Sequence, residues 1–230
     1  MRVMRIGVAL SLAAAPALRE SVSAQSTGQT LTVADYLDYE RVGNPQISPD
    51  GKSVLYSRGF VDKVNDTWAD AVWQINADGT KNRFLLKGGG AVWSPDGTRI
   101  AYVGAAENPK GAQIFVRYMD AEGATTQITR LTESPGNITW SPDGKWISFT
   151  SFVPKPSEWA IEMPAPPPNA KWTPAPRVAD RLHYRADHRG YTESGFTHLF
   201  VVAADGGSPR QVTRGDWSVG AAFDGTVVGG

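Results

Sequence analysis

Cysteine is absent from the 230 residues. No disulfide, thiolate metal site or cysteine nucleophile can be built from this chain. Histidine is scarce: only His183, His188 and His198 occur. None sits in a His-Glu-x-x-His pattern, which removes a helical zinc-protease site. Neither charge is in excess, with 23 basic against 23 acidic residues. A nucleic-acid partner, which calls for a basic surplus, is not expected. Beyond residue 24 no run approaches the roughly 18 apolar residues of a membrane-spanning helix. A Gly-x-Ser-x-Gly nucleophile elbow is missing as well. Its nearest look-alike, Gly206-Gly207-Ser208-Pro209, reads as a turn.

Glycine and proline are plentiful, at 24 and 16, as a short-stranded β protein requires. Eight tryptophans supply a large apolar payload. The N-terminus has the anatomy of an export signal. Arg2 and Arg5 precede a mainly apolar segment from Ile6 to Leu18, and Val22-Ser23-Ala24 offers a cleavage site before Gln25. The Arg19-Glu20 pair is the irregular feature. Loss of residues 1–24 leaves 20 basic and 22 acidic residues. A periplasmic or secreted protein, free of the membrane after signal cleavage, is expected.

The sequence also repeats itself. "PQISPDGKSVLYSR", "AVWSPDGTRIAYVG" and "ITWSPDGKWISFTS" start at Pro45, Ala91 and Ile138. Their aspartates, Asp50, Asp96 and Asp143, are 46 and 47 residues apart. A period of this size fits propeller blades better than helical solenoids. Each copy has a second turn, at Ala77-Asp78-Gly79-Thr80, Ala121-Glu122-Gly123-Ala124 and Ala204-Asp205-Gly206-Gly207. A worn fourth copy stands at Ala222-Phe223-Asp224-Gly225. Within Ser-Pro-Asp-Gly the proline presets φ near about −65°, and the glycine takes positive φ without a Cβ penalty. Strands are predicted over 99–103, 112–118 and 126–131. Val54 with Tyr56, Ile100 with Tyr102, and Ile147 with Phe149 share one strand face by two-residue spacing. The residue ahead of each turn (Ile47, Trp93, Trp140) is placed to wedge between adjacent sheets.

These features predict an all-β chain: a β-propeller with WD40-like or Tol-type blades, incomplete at about three blades plus a partial fourth. A short N-terminal helix starts at the capping-box pattern Thr32-Val33-Ala34-Asp35. The expected organisation is a signal peptide over 1–24, a lead-in over 25–44 and a partial propeller over 45–230. An insertion over 154–195 interrupts the third copy. Eight of the 16 prolines lie between Pro154 and Pro176. That stretch reads as loop or polyproline II, with Arg177–Arg185 able to pair as a strand or hairpin. The insertion is either functional or a cover for a sheet edge.

Repeats of Trp-Ser-Pro-Asp-Gly behind an export signal resemble the propellers of two groups of exported bacterial proteins: serine peptidases of the prolyl oligopeptidase family, and the periplasmic propeller protein of the Tol system. The first group, in its acylaminoacyl-peptidase-like branch, resembles this chain more. "LTVADYLDYERVGNPQISPDGK" from Leu31 is similar to the segment opening its propeller. "PRVADRLHYRADHRGYTESGFTHLFVV" from Pro176 is similar to its insertion before a blade strand, and "GGSPRQVTRGDWSVGAAF" from Gly206 continues the likeness. The resemblance implies a propeller that gates and positions peptide substrate for a C-terminal α/β-hydrolase domain carrying Ser, Asp and His. No such triad is in this chain, so the catalytic residues are expected on further polypeptide, and this segment alone is expected to be inactive. The alternative is a non-enzymatic propeller that binds periplasmic partners.

Site candidates are few. Ser48, Ser94 and Ser141 precede proline in tight turns with no base nearby in sequence, so a structural role is preferred and no catalytic residue is assigned. His183 and His188 flank Asp187, but the spacing is not that of a metal site, and neither metal nor cofactor is expected. Arg177, Arg181, Arg185 and Arg189 recur every four residues. Their guanidinium forks suit carboxylates, of a peptide or of another domain, although a solvated face is the plainer reading. Glu158, Glu162 and Glu193 stand singly, without the paired glutamates that anchor substrate amines in dipeptidyl-peptidase relatives. Asn65-Asp66-Thr67 and Asn137-Ile138-Thr139 match the glycosylation pattern by chance.

Overall fold

The computed structural model describes residues 30–120, 123–156, 159, 161–174, 176–179, 184–187 and 190–220. The export-signal segment, the fourth repeat copy, Glu158, Arg181, His183, His188 and Arg189 lie outside the described residues. The chain divides into two units, residues 1–36 and residues 37–230.

In the first unit, Thr32 and Asp35 cap each other around the start of α1 (Val33–Leu37). The Asp35 carboxylate accepts from the Thr32 amide and hydroxyl, both at 2.7 Å, while the Asp35 amide donates to Thr32 Oγ1 at 3.3 Å. Amides left without partners at a helix start are satisfied in this reciprocal way.

The second unit contains three four-stranded antiparallel sheets, each a meander apart from one interruption. The first sheet is β1 (Glu40–Ile47), β2 (Ser53–Asp62), β3 (Thr67–Asn76) and β4 (Arg83–Lys87). The second is β5 (Gly89–Trp93), β6 (Arg99–Glu107), β7 (Lys110–Tyr118) and β8 (Thr125–Gln127). The third begins with β9 (Gly136–Trp140) and β10 (Trp146–Pro154). A small hairpin follows, β11 (Arg185–Ala186) with β12 (Gly190–Tyr191). The third sheet then resumes with β13 (Gly195–Ala203) and β14 (Arg210–Gln211). Pro154 and Gly195 are cross-strand partners, so the chain leaves and re-enters the ladder at one rung. The segment between them is an excursion from the sheet's rim. Of the run Arg177–Arg185, only Arg185 joins a described strand.

Apolar side chains from facing sheets interlock in two layers. Leu55, Val72 and Leu86 of the first sheet meet Ala91, Ile100 and Tyr102 of the second. Ala101, Ile114, Val116 and Ile128 of the second meet Ile138, Trp140, Ile147, Phe149 and Val202 of the third. The second sheet is buried on both faces because it has a neighbour on each. Ile100 and Tyr102 point to the first sheet, and the intervening Ala101 points to the third.

One expectation changes here. Val54 and Tyr56 occupy the places of Ile100 and Tyr102 but are only half-buried, while Leu55 between them is fully buried. The equivalent face of the first sheet has no described sheet in front of it. For the same reason Ile47 is 70% exposed, whereas Trp140 is 8% exposed. Trp93 and Trp140 do wedge between sheets, and Ile47 does not. A second expectation, a strand over 126–131, is shortened. β8 ends at Gln127; the Ile128 amide still donates to the Ile114 carbonyl at 2.9 Å, and side chains carry the pairing beyond that.

Candidate functional site

Each Ser-Pro-Asp-Gly turn is held by a bond set that recurs from copy to copy. The serine hydroxyl donates to the aspartate: Ser48 to Asp50 at 2.6 Å, Ser94 to Asp96 at 2.6 Å, Ser141 to Asp143 at 2.5 Å. The same oxygen accepts the amide five residues on, from Ser53, Arg99 and Trp146, each at 2.9 Å. The aspartate also accepts the amides of Lys52, Thr98 and Lys145 at 3.0–3.1 Å. These bonds, the serine hydroxyl first and the amide next, hold all three carboxyls below the ordinary aspartate value of 3.8. A serine whose proton is committed to its own turn is a hinge pin, not an activated nucleophile. The glycine takes φ of 68–72° in all three copies. It has a second duty at Gly97, where a Cβ would come within 3.3 Å of the Pro49 ring of the preceding turn.

The turns also connect the sheets. Trp93 Nε1 donates to the Gln46 carbonyl at 3.2 Å, and Trp140 Nε1 to the Val92 carbonyl at 3.2 Å. The acceptor is each time the residue before the equivalent position of the preceding sheet. Arg99 adds a bridge from the second sheet to the third. Its guanidinium donates to the Gly144 carbonyl at 3.0 Å and to Asp205 at 3.3 Å, and lies over the Trp140 ring at 5.1 Å.

A further repeated device escaped the sequence reading. In the second sheet the Ile114 amide donates to Thr129 Oγ1 at 2.9 Å, and in the third the Leu199 amide donates to Thr213 Oγ1 at 2.9 Å. Buried Gln113 then takes the Leu131 amide and donates to the Leu131 carbonyl, both at 2.8 Å. His198 stands at the place of Gln113, with Nδ1 3.2 Å from Thr213 Oγ1. The signal was present as Gln127-Ile128-Thr129-Arg130 and Gln211-Val212-Thr213-Arg214. His198 is therefore a packed structural residue, 3% exposed.

In a meander, the first and third turns of each sheet lie at one rim and the middle hairpin at the other. The Ser-Pro-Asp-Gly turns and second turns share one rim, joined by bonds such as Ala77 amide to Lys52 carbonyl at 2.8 Å. The opposite rim carries the hairpins after Asp62 and Glu107 and the excursion of the third sheet. Two recesses open there. One, about 870 Å³, separates the ends of the first and second sheets and is lined by Phe60, Lys63, Asp70, Lys87, Gly104 and Ala112, among others. The other, about 630 Å³, belongs to the insertion. Arg177, Val178, Tyr184, Tyr191, Glu193 and Ser194 line it. The Arg177 guanidinium lies 5.0 Å over the Tyr191 ring, and the Tyr184 and Tyr191 rings are 6.2 Å apart. The β11–β12 pairing and a Thr192 amide to Tyr184 carbonyl bond at 2.9 Å fix both tyrosines. Of the arginine series, only Arg177 lines this recess among the described residues. Glu193 joins it, and Glu162 does not.

Among the described residues no group of three His, Cys, Asp or Glu could hold a metal ion. No described helix is long and apolar enough to cross a membrane.

No family model matches the chain. A curated protein, dipeptidyl-peptidase 5 of Porphyromonas endodontalis, is 31% identical over 143 residues. The match takes in 58% of this chain and 20% of that protein. An acylaminoacyl peptidase of Pyrococcus horikoshii superposes with TM-score 0.57 at 15% identity, over 78% of this chain and 26% of that one. An acylaminoacyl peptidase bound to Z-Gly-Gly-Phe-chloromethyl ketone superposes with TM-score 0.58 at 16% identity, with the same coverage. The chain thus spans about a fifth to a quarter of the length of these relatives. Its sheets are propeller blades, and the chain resembles the propeller portion of peptidases of the prolyl oligopeptidase family.

Proposed function

We propose that this chain is the propeller part of an exported serine peptidase, and that it admits and positions peptide substrate for a hydrolase domain borne on further polypeptide. The observation that carries the proposal is the 31% identity to a dipeptidyl peptidase, spread over 143 residues rather than confined to the repeat turns. The blade fold supports it, and so does the bonding of Ser48, Ser94 and Ser141, which leaves the chemistry to residues elsewhere. In this reading residues 1–24 direct export. The exposed face bearing Ile47 and Val54 receives a further blade, because Ile100, Trp140 and Ile147 at the same places in the other sheets are buried. The recesses and the insertion at one rim are where a peptide would be met before it reaches a nucleophile.

A serine-reactive fluorophosphonate probe tests this. It should leave the 230-residue chain unlabelled. It should label a longer product of the same gene that carries a Gly-x-Ser-x-Gly elbow, and that product should cleave peptides. Labelling of the chain itself, or the absence of any such longer product, overturns the proposal.

A further inference from the structure

The recess in the insertion brings together groups that neither the blade fold nor the sheet contacts use. Arg177 makes no ion pair or hydrogen bond with any described residue, and among those residues its partner is the Tyr191 ring. The Tyr191 ring holds the guanidinium at 5.0 Å, and no described residue takes its N–H donors. An arginine held this way loses little freedom on forming paired bonds to a carboxylate. Tyr184 and Tyr191, roughly half-exposed, contribute two phenol hydroxyls and two apolar ring faces. Val178 and Ala179 extend the apolar wall. Glu193 is on the same lining. Its carboxylate opposes a multiply charged anion such as phosphate, but it can accept an N–H one peptide unit away from a bound carboxylate. The volume, about 630 Å³, suits one or two residues of peptide rather than a folded surface.

We propose that this recess binds the free C-terminal carboxylate of a peptide, with Arg177 as the anion donor, Tyr184 and Tyr191 flanking the terminal side chain, and Glu193 taking a backbone N–H. The proposal rests on the peptide-handling role given above and adds to it a preference for one end of the substrate.

The test is calorimetric titration of the 230-residue chain with Ala-Ala-Phe as the free acid and as the C-terminal amide. The acid should bind, and amidation should weaken binding at least tenfold. Arg177→Gln should remove the difference between the two ligands while leaving the thermal melt unchanged, because among the described residues the side chain meets the exposed Tyr191 ring alone. Arg177→Lys should recover part of the preference. Inorganic phosphate should compete poorly, and Glu193→Gln should make it compete better. Equal binding of acid and amide, no binding of the acid at millimolar concentration, or an unaltered preference in Arg177→Gln would each overturn the site. These results separate the two proposals. A longer gene product that cleaves peptides while acid and amide bind alike rules out the recess alone. Carboxylate binding by a chain whose gene encodes no peptidase domain rules out the peptidase reading alone.

Discussion

Ser94 shows what a single residue contributes to this protein. It is fully buried, and one hydroxyl both donates to Asp96 and accepts the Arg99 amide. Ser94→Ala strands the Arg99 amide, a loss of about 1–3 kcal/mol. Thermal or urea unfolding would measure it. Under the proposed function, peptidase activity of a longer product should fall only through lost stability, because this hydroxyl is bonded within its own turn. The turn aspartates set an acid limit. Their carboxyls titrate below 3.8 when folded, so the native state binds fewer protons than the unfolded chain. The stability they contribute is fully present above that value and is lost as pH falls through the folded values. Melting temperature should therefore hold between about pH 7 and about pH 5 and drop below about pH 4. Asp96→Asn should flatten the drop, and an unchanged acid limb in that variant would refute the assignment.

At the level of elements, the sheets are joined by few but repeated bonds. Trp140 fills the space between the second and third sheets, and its indole N–H closes on the Val92 carbonyl. Trp140→Phe keeps most of the apolar volume and should cost about 1 kcal/mol from the hydrogen bond. Trp140→Ala should cost about 3–5 kcal/mol, because a cavity opens between the sheets. The two variants measured by denaturant unfolding separate bond from packing. The insertion has its own anchor at Gly195, where φ is +152° and a Cβ would collide with the Val153 carbonyl. Gly195→Ala should force the chain out of the ladder at its partner Pro154. Limited proteolysis within 156–176 should then speed up severalfold, and stability should fall by on the order of 2 kcal/mol.

Across the whole molecule, burial is uneven. The second sheet has a neighbour on both faces, but the first presents Ile47 at 70% exposure together with its cross-strand partner Val54. Apolar sheet faces and open edges associate when nothing covers them. The 230-residue chain should show concentration-dependent association in size-exclusion chromatography, and Ile47→Lys should reduce it without lowering the melting temperature. A monomer at all concentrations would argue that this face needs no cover.

The sequence by itself determined the unit of construction. Three copies of Ser-Pro-Asp-Gly at even spacing imply a repeated sheet, because proline, aspartate and glycine there answer a local turn geometry. The Thr32–Asp35 cap was legible for the same reason: every partner is within three residues. The break in rhythm after the third copy is visible as a run of prolines, which lack the N–H donors to sustain a ladder. What depends on distant partners was not legible. Whether Val54 is buried like Ile100 is decided by which sheet faces it, and no local pattern records that neighbour. Arg99 reaches Asp205 across 106 positions of sequence. The arginine series over 177–189 reads as a solvated face, yet the tertiary structure lays Arg177 over the Tyr191 ring in a recess that Glu193 also lines. Local turn geometry belongs to the chain's nearest residues, whereas this recess exists only once the β11–β12 pairing has brought Tyr191 back under Arg177.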